Sequence, residues 1–352
     1  MVVLGLPAFA LTQLPEDFVM LWEKSGKMEY VDVHGEPVFP GKTFKKARNF
    51  HEGRAAVGGK RGWGFIDPRG EVVVDMVYGE VDDFHEGIAM VEEGPDYRYI
   101  GLNGRPRFTN RYGKATRFWD GIARVKMEGK HYLLHKNGRH VALDFREVGG
   151  YMSSKDHYDN RIMVEEWAGC GYTDEKGDLV IPCQYWTCGY FRFGKATAQL
   201  DEKTGIIDVE GNWILPPVLP FSLEGEFQTP DLFFGTFRGF RDTSRFEMVM
   251  NVEGDRILFV EDWQFRYVEA GHILARPKEG PERHFRIYDT KGSLVREVLD
   301  GDFFKSCGAY YIMQEGKTSY KLYDWSGKVH FDFGKHKPVD CFCDLEEQKK
   351  WD

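Results

Sequence analysis

The sequence predicts an all-β chain built from about nine tandem antiparallel β-meander repeats of ~35 residues each. Three observations carry that prediction. A glycine-bearing turn returns nine times, with its glycine at positions 35, 70, 104, 138, 177, 211, 254, 292 and 327. Short runs of β-favouring residues flank the turns. No amphipathic helical stretch interrupts them.

The turn comes first because it sets the phase. Three residues before each glycine stand Asp32, Asp67, Gly101, His135, Asp174, Asp208, Asn251, Asp289 and Asp324. A carboxylate at that position accepts backbone N–H groups of its own turn, while the glycine takes a positive φ. Asp32, Asp67 with Gly70, Asp174 with Gly177, Asp208 with Gly211, Asp289 with Gly292 and Asp324 with Gly327 are therefore read as structural turn residues. Catalytic carboxylates would not recur in phase along a whole chain.

The strands follow from the turn. Pairs such as Tyr30-Val31, Phe65-Ile66, Tyr99-Ile100, Leu133-Leu134 and Ile206-Ile207 lead into it, and runs such as Val72–Val74 and Leu179–Ile181 leave it. Upstream lies another short run, as in Arg54–Val57 or Gly121–Val125. Three such runs in succession make a meander. A fourth segment has large or apolar residues at every third position: Phe44, Ala47, Phe50; Tyr78, Val81, Phe84; Tyr112, Ala115, Phe118; Tyr185, Cys188, Phe191. That spacing fits a helical turn better than a strand, with a bulged strand as the alternative.

The stretch Gly59-Lys60-Arg61-Gly62-Trp63-Gly64-Phe65-Ile66-Asp67-Pro68-Arg69-Gly70, followed by Tyr78 and Phe84-His85-Glu86-Gly87, resembles a WG repeat. The pattern continues in Gly169–Pro182 and in Thr204–Asp208, although the Trp-Gly pair itself stands only at Trp63-Gly64. The first six units are recognisable and the last three keep mainly the turn. The resemblance implies a bacterial-type β-repeat protein acting as a binding or scaffold module. It supplies no catalytic residues, because the motif has none.

One meander cannot bury its own apolar face, so neighbours must stack. Stacked units either close into a propeller-like ring, the favoured arrangement, or open into a superhelical band. The chain divides into an N-terminal segment (1–16), regular repeats (17–211), divergent repeats of the same array (212–340) and a polar tail (341–352). Pro216, Pro217, Pro220 and Pro230 mark the start of the divergent part and belong in loops or edge strands.

Composition narrows the function classes. The 352 residues are 42% hydrophobic and 15% aromatic, so a packed core is expected. No apolar run reaches the ~18 residues of a membrane helix. A net charge of −9 disfavours nucleic acid. Residues 2–10 look like the apolar part of a secretory signal without its basic region, since the first cation is Lys24. The missing basic region favours the cytoplasm; a signal remnant at 1–10 would mean export.

The chemistry is sparse. Six cysteines, Cys170, Cys183, Cys188, Cys307, Cys341 and Cys343, are too few for a disulfide framework and are expected as idle, buried thiols. Cys170, Cys183 and Cys188 lack a fourth zinc ligand. His131 and His135 sit ~13 Å apart if they lie on one strand, too far for one metal. His51-Glu52 and His85-Glu86 have no second histidine to make a metalloprotease motif, and neither a phosphate-binding loop nor a nucleophile elbow occurs. No metal, cofactor or catalytic set is therefore assigned.

The expected function is a non-catalytic scaffold for a protein partner, with carbohydrate or envelope binding as the alternative. The binding candidates are His51, His85, Trp119 and Arg192, which follow the constant Phe of each F-x-x-G loop and are expected on one exposed rim. The basic segment from Arg105 to Lys126 is read as half of an inter-repeat charge ladder, Lys46–Glu80–Lys114, with Arg48–Asp82 and Asp83–Arg117 beside it.

Overall fold

A computed structural model describes residues 19–32, 35–149, 159–239, 245–259, 263–268, 271–278, 284–299, 301–307, 310–316, 319–335 and 337–342. Among these residues the chain is all β, with no helix. The described residues form nine small antiparallel sheets in tandem. The second sheet shows the plan: Lys46–His51, Arg54–Gly58, Trp63–Ile66 and Val72–Tyr78 pair in chain order. Where a sheet has fewer regular strands, single bridges fill the missing places. In the third sheet Val81 bridges Val91 and Tyr97 bridges Tyr112; in the sixth Cys188 bridges Ala198.

The recurring turn joins the third and fourth strands as its chemistry requires. Asp67 Oδ1 accepts the N–H groups of Arg69 (3.0 Å) and Glu71 (2.8 Å), and Gly70 takes φ +77°. Asp32, Asp174, Asp208, Asp289 and Asp324 accept the equivalent amide four residues on. In the two units that begin with Gly101 and His135, Asn103 and Asn137 supply the acceptor instead.

In the third, fourth and sixth sheets the fourth segment is extended chain with short pairings at Val81, Lys114–Ala115 and Cys188, and in the second it is the strand Lys46–His51, not a helical turn. The register of that strand slips between Ala47 and Phe50, so the period of three is the mark of a bulge in the first strand of the next sheet. The bulged carbonyls find a common donor: the hydroxyls of Tyr30, Tyr99 and Tyr172 donate to the carbonyls of Arg48 (2.7 Å), Thr116 (2.6 Å) and Gly189 (2.6 Å) in the following sheet.

A second bulge explains the glycine of the Trp-Gly pair. Trp63 pairs with Tyr78 and Phe65 with Val74, so the fourth strand carries extra residues across Gly64. A Cβ on Gly64 would lie 2.3 Å from the Val74 carbonyl oxygen; on Gly171 and Gly205, in the same register, 2.4 and 2.5 Å from those of Ile181 and Leu215. Pro182, Pro216 and Pro217 occupy this bulged edge strand, where a missing N–H costs no ladder bond.

The core lies between sheets. Nine apolar clusters occupy successive interfaces, for example Trp63, Phe65, Val81 and Phe84 between the second and third. One cluster joins Trp22 and Val31 of the first sheet to Tyr310, Ile312 and Leu322 of the last. The strand Val19–Lys24 pairs with Lys27–Val31 on one side and with Lys337–Phe342 on the other. Both ends of the array thus share one sheet. The turn glycines repeat the pattern: Gly70, Gly104 and Gly211 face Phe39, Val74 and Ile181 of the preceding sheet, and Gly35 faces Phe331 of the last.

Two expectations change here. Cys341 and Phe342 end the strand Lys337–Phe342, so the polar tail is shorter than 341–352. Cys170 and Cys188 are not idle thiols but a disulfide. Cys170 stands where Trp63 stands in its repeat, and Cys188 where Val81 stands. The apolar contact between neighbouring sheets is replaced by a covalent bond that 18 residues of sequence separate. The segments 1–16, including the signal-like residues 2–10, and Cys343 lie outside the described residues.

Candidate functional site

The four residues expected on one rim all precede the tight turn between the first and second strands. Those turns are two-residue hairpin turns with both residues at positive φ: Glu52-Gly53, Glu86-Gly87, Asp120-Gly121 and Phe193-Gly194. The structure brings one neighbouring pair of the column together. His85 stacks on Trp119 with ring centroids 4.3 Å apart, and its Nδ1 lies 3.0 Å from the Phe118 carbonyl oxygen. His51 Nε2 lies 3.7 Å from Asp83, and Arg192 pairs with Glu226 at 3.1 Å. His51 is half-exposed and the other three are partly covered by these contacts with neighbouring units.

The same turns are tied by a carboxylate chain. Glu52 accepts the amides of Glu86 (2.7 Å) and Gly87 (2.7 Å), Glu86 accepts that of Gly121 (2.9 Å), and Asp159 accepts that of Gly194 (2.6 Å). Each acceptor belongs to the preceding sheet's turn. This end of the array is held together by its own polar groups.

The charge ladder forms in a different register. Glu80 pairs with Arg48 at 3.7 Å, while Lys46 lies over the Trp63 ring at 5.3 Å. Arg117 grips Asp82 with two nitrogens, Nε at 2.9 Å, and Arg48 reaches Asp83 at 3.7 Å. The bulge in the first strand offsets equivalent positions, so the pairs run diagonally.

The opposite end of the sheets differs. It carries the hairpin turns between second and third strands and the connectors between sheets. Here the fifth unit exposes two indoles. Trp167, in the turn between Ile162–Glu166 and Gly169–Thr173, is 90% exposed, and Trp186, directly after Leu179–Tyr185, is 61% exposed. A Cβ on Gly169 would lie 2.4 Å from the Tyr185 carbonyl oxygen, so the backbone two residues after Trp167 lies against the residue before Trp186. The Trp186 backbone amide donates to the Gln199 carbonyl (3.0 Å), two residues before the Asp201-Glu202 turn of the sixth sheet. Arg146 covers one face of Trp167 at 5.3 Å and pairs with Glu165 at 2.9 Å.

The sequence reading passed over these tryptophans. The signal lay in the repeat alignment, where Lys60 and Gly79 hold the equivalent places in the second unit. No group of three or more metal-ligating side chains occurs among the described residues, and no helix there is long and apolar enough to cross a membrane.

The WG containing repeat family matches residues 30–58, 63–94 and 171–203. The chain carries WG repeats. In these WG repeats the glycine answers the bulged fourth strand, and the tryptophan is one of several residues that can fill the interface. Among solved structures, a eukaryotic initiation factor aligns over 93% of this chain and 98% of its own, at 8% identity and a TM-score of 0.62. Dipeptidyl peptidase 4 of Porphyromonas gingivalis aligns over 91% of this chain and 58% of its own, at 10% identity and a TM-score of 0.47. The likeness to the initiation factor is one of fold, the β-propeller class. No curated protein matches the sequence.

Proposed function

We propose that this chain is a non-catalytic scaffold whose nine sheets close into a ring and whose exposed connector end binds a protein partner. Closure is supported by the strand shared between the two ends and by the apolar cluster between first and last sheets. The scaffold reading draws on the WG repeats and on a polar inventory spent on turns and inter-sheet ties. The observation that carries protein binding is the pair of exposed indoles at Trp167 and Trp186. Neither is required by the repeat, both face water, and tryptophan is among the commonest anchors of protein interfaces.

The test is affinity capture from the source cell with the wild-type chain and a Trp167→Ala/Trp186→Ala variant side by side. A protein retained by the first and lost by the second supports the reading. Retention of oligosaccharide in place of protein would overturn it in favour of carbohydrate binding.

A further inference from the structure

We propose that the surface around Trp167 and Trp186 seats a basic segment of the partner, with lysine or arginine stems against the indoles and their charges toward carboxylates of two neighbouring hairpin turns. This deepens the scaffold reading and rests on it. The acidic groups come from both sheets: Glu165 and Glu166 end the strand before Trp167, and Asp201 and Glu202 form the next unit's turn. Glu166, Asp201 and Glu202 form no ion pair among the described residues. Arg146 is engaged by Glu165, and Lys203 follows Glu202 in sequence. Within Arg146, Glu165–Trp167 and Asp201–Lys203, four carboxylates stand against two cations.

The physical fit is specific. An indole face attracts a cation through its quadrupole, and a guanidinium or ammonium held there also lies within reach of a carboxylate. The Arg146 contact shows the Trp167 ring accepting a guanidinium from this chain on one face. The other face is open, as its exposure requires. Long basic side chains also lay apolar stems on aromatic surface while the charged tip stays wet. A neutral or acidic segment would gain only the apolar part of this and would meet the carboxylates unfavourably. Charge complementarity therefore selects the basic occupant.

Three probes decide it: a fluorescein-labelled peptide of alternating lysine and leucine, its glutamate-for-lysine counterpart, and a neutral β-linked oligosaccharide. Binding is read by anisotropy for the peptides and by tryptophan fluorescence for the sugar. The expected result is saturable binding of the basic peptide alone. It weakens about tenfold or more in Trp167→Ala/Trp186→Ala, whose net charge is unchanged. It also weakens and loses salt dependence in Glu166→Gln/Asp201→Asn/Glu202→Gln. Circular dichroism and the melting midpoint report that each variant is folded. Equal binding of the basic peptide to the tryptophan variant would overturn the site, since net charge alone would then explain it. Preference for the acidic peptide at the tryptophans would overturn the basic chemistry but leave protein binding standing. Binding of the sugar and neither peptide would overturn both.

Discussion

The carboxylate of Glu52 accepts the backbone N–H groups of Glu86 and Gly87, both at 2.7 Å, so the first hairpin turn of one sheet is held by the corresponding turn of the sheet before it. Removing the acceptor leaves two amides without their charged partner. Glu52→Ala should cost about 1.5 kcal/mol. Urea denaturation followed by tryptophan fluorescence would show the lowered midpoint.

Gly64 and Gly87 separate two reasons for glycine. At Gly87 nothing lies within 4 Å of an added Cβ, so Gly87→Ala carries only the left-handed backbone penalty of about 1–2 kcal/mol. At Gly64 the added Cβ meets backbone atoms that cannot move aside, 2.3 Å from the Val74 oxygen. Gly64→Ala should be at least twice as destabilising. Equal midpoints for the two variants would contradict the bulge account of the Trp-Gly pair.

The Cys170–Cys188 bond crosses from the fifth sheet to the sixth. Closing a loop of this length stabilises by about 3 kcal/mol in the chain-entropy account. Reduction should lower the melting midpoint, and Cys170→Ala/Cys188→Ala should melt like the reduced protein. Peptide mapping without reductant should recover the crosslinked pair. Cys183 takes no part, because burial pushes its thiol pKa up and its side chain packs in the cluster between the fourth and fifth sheets.

Asp324 gives a pH signature. Burial raises its carboxyl, but hydrogen bonds from Ser326, His330 and the Lys328 amide outweigh it and bring the pKa down to about 2. A carboxyl near 3.9 in the unfolded chain and lower in the folded one adds stability that is full above the unfolded value. It is lost as pH falls through the folded value. The stability difference between wild type and Asp324→Asn should therefore be constant near neutrality and shrink between about pH 4 and pH 2. Paired denaturation curves across that window would check it.

Removing residues 337–352 takes away the strand that pairs with Val19–Lys24. It leaves an unpaired edge and opens the interface between the first and last sheets. The truncated chain should melt lower and show a larger radius of gyration in small-angle scattering. An unchanged radius and midpoint would count against a closed ring.

Turn chemistry and β patterning were legible in the sequence because their causes lie within a few residues. Asp67 closes the turn with its carboxylate and Gly70 with its positive φ, and Val72–Val74 declare a strand by composition. The count of units, the all-β class and the WG resemblance follow from such local signals repeated in phase. What tertiary structure decided depends on residues that meet only after the sheets stack. The period of three became a bulged strand because Tyr99 and its equivalents bind the displaced carbonyls from the sheet before. Cys170 and Cys188 found each other across an interface where another repeat places tryptophan and valine. His85 and Trp119, 34 positions apart, were drawn into contact with each other, whereas Trp167 and Trp186 were left facing water. Exposure belongs to the stacked assembly of units, and a single repeat, however regular, carries no record of what its neighbour will cover.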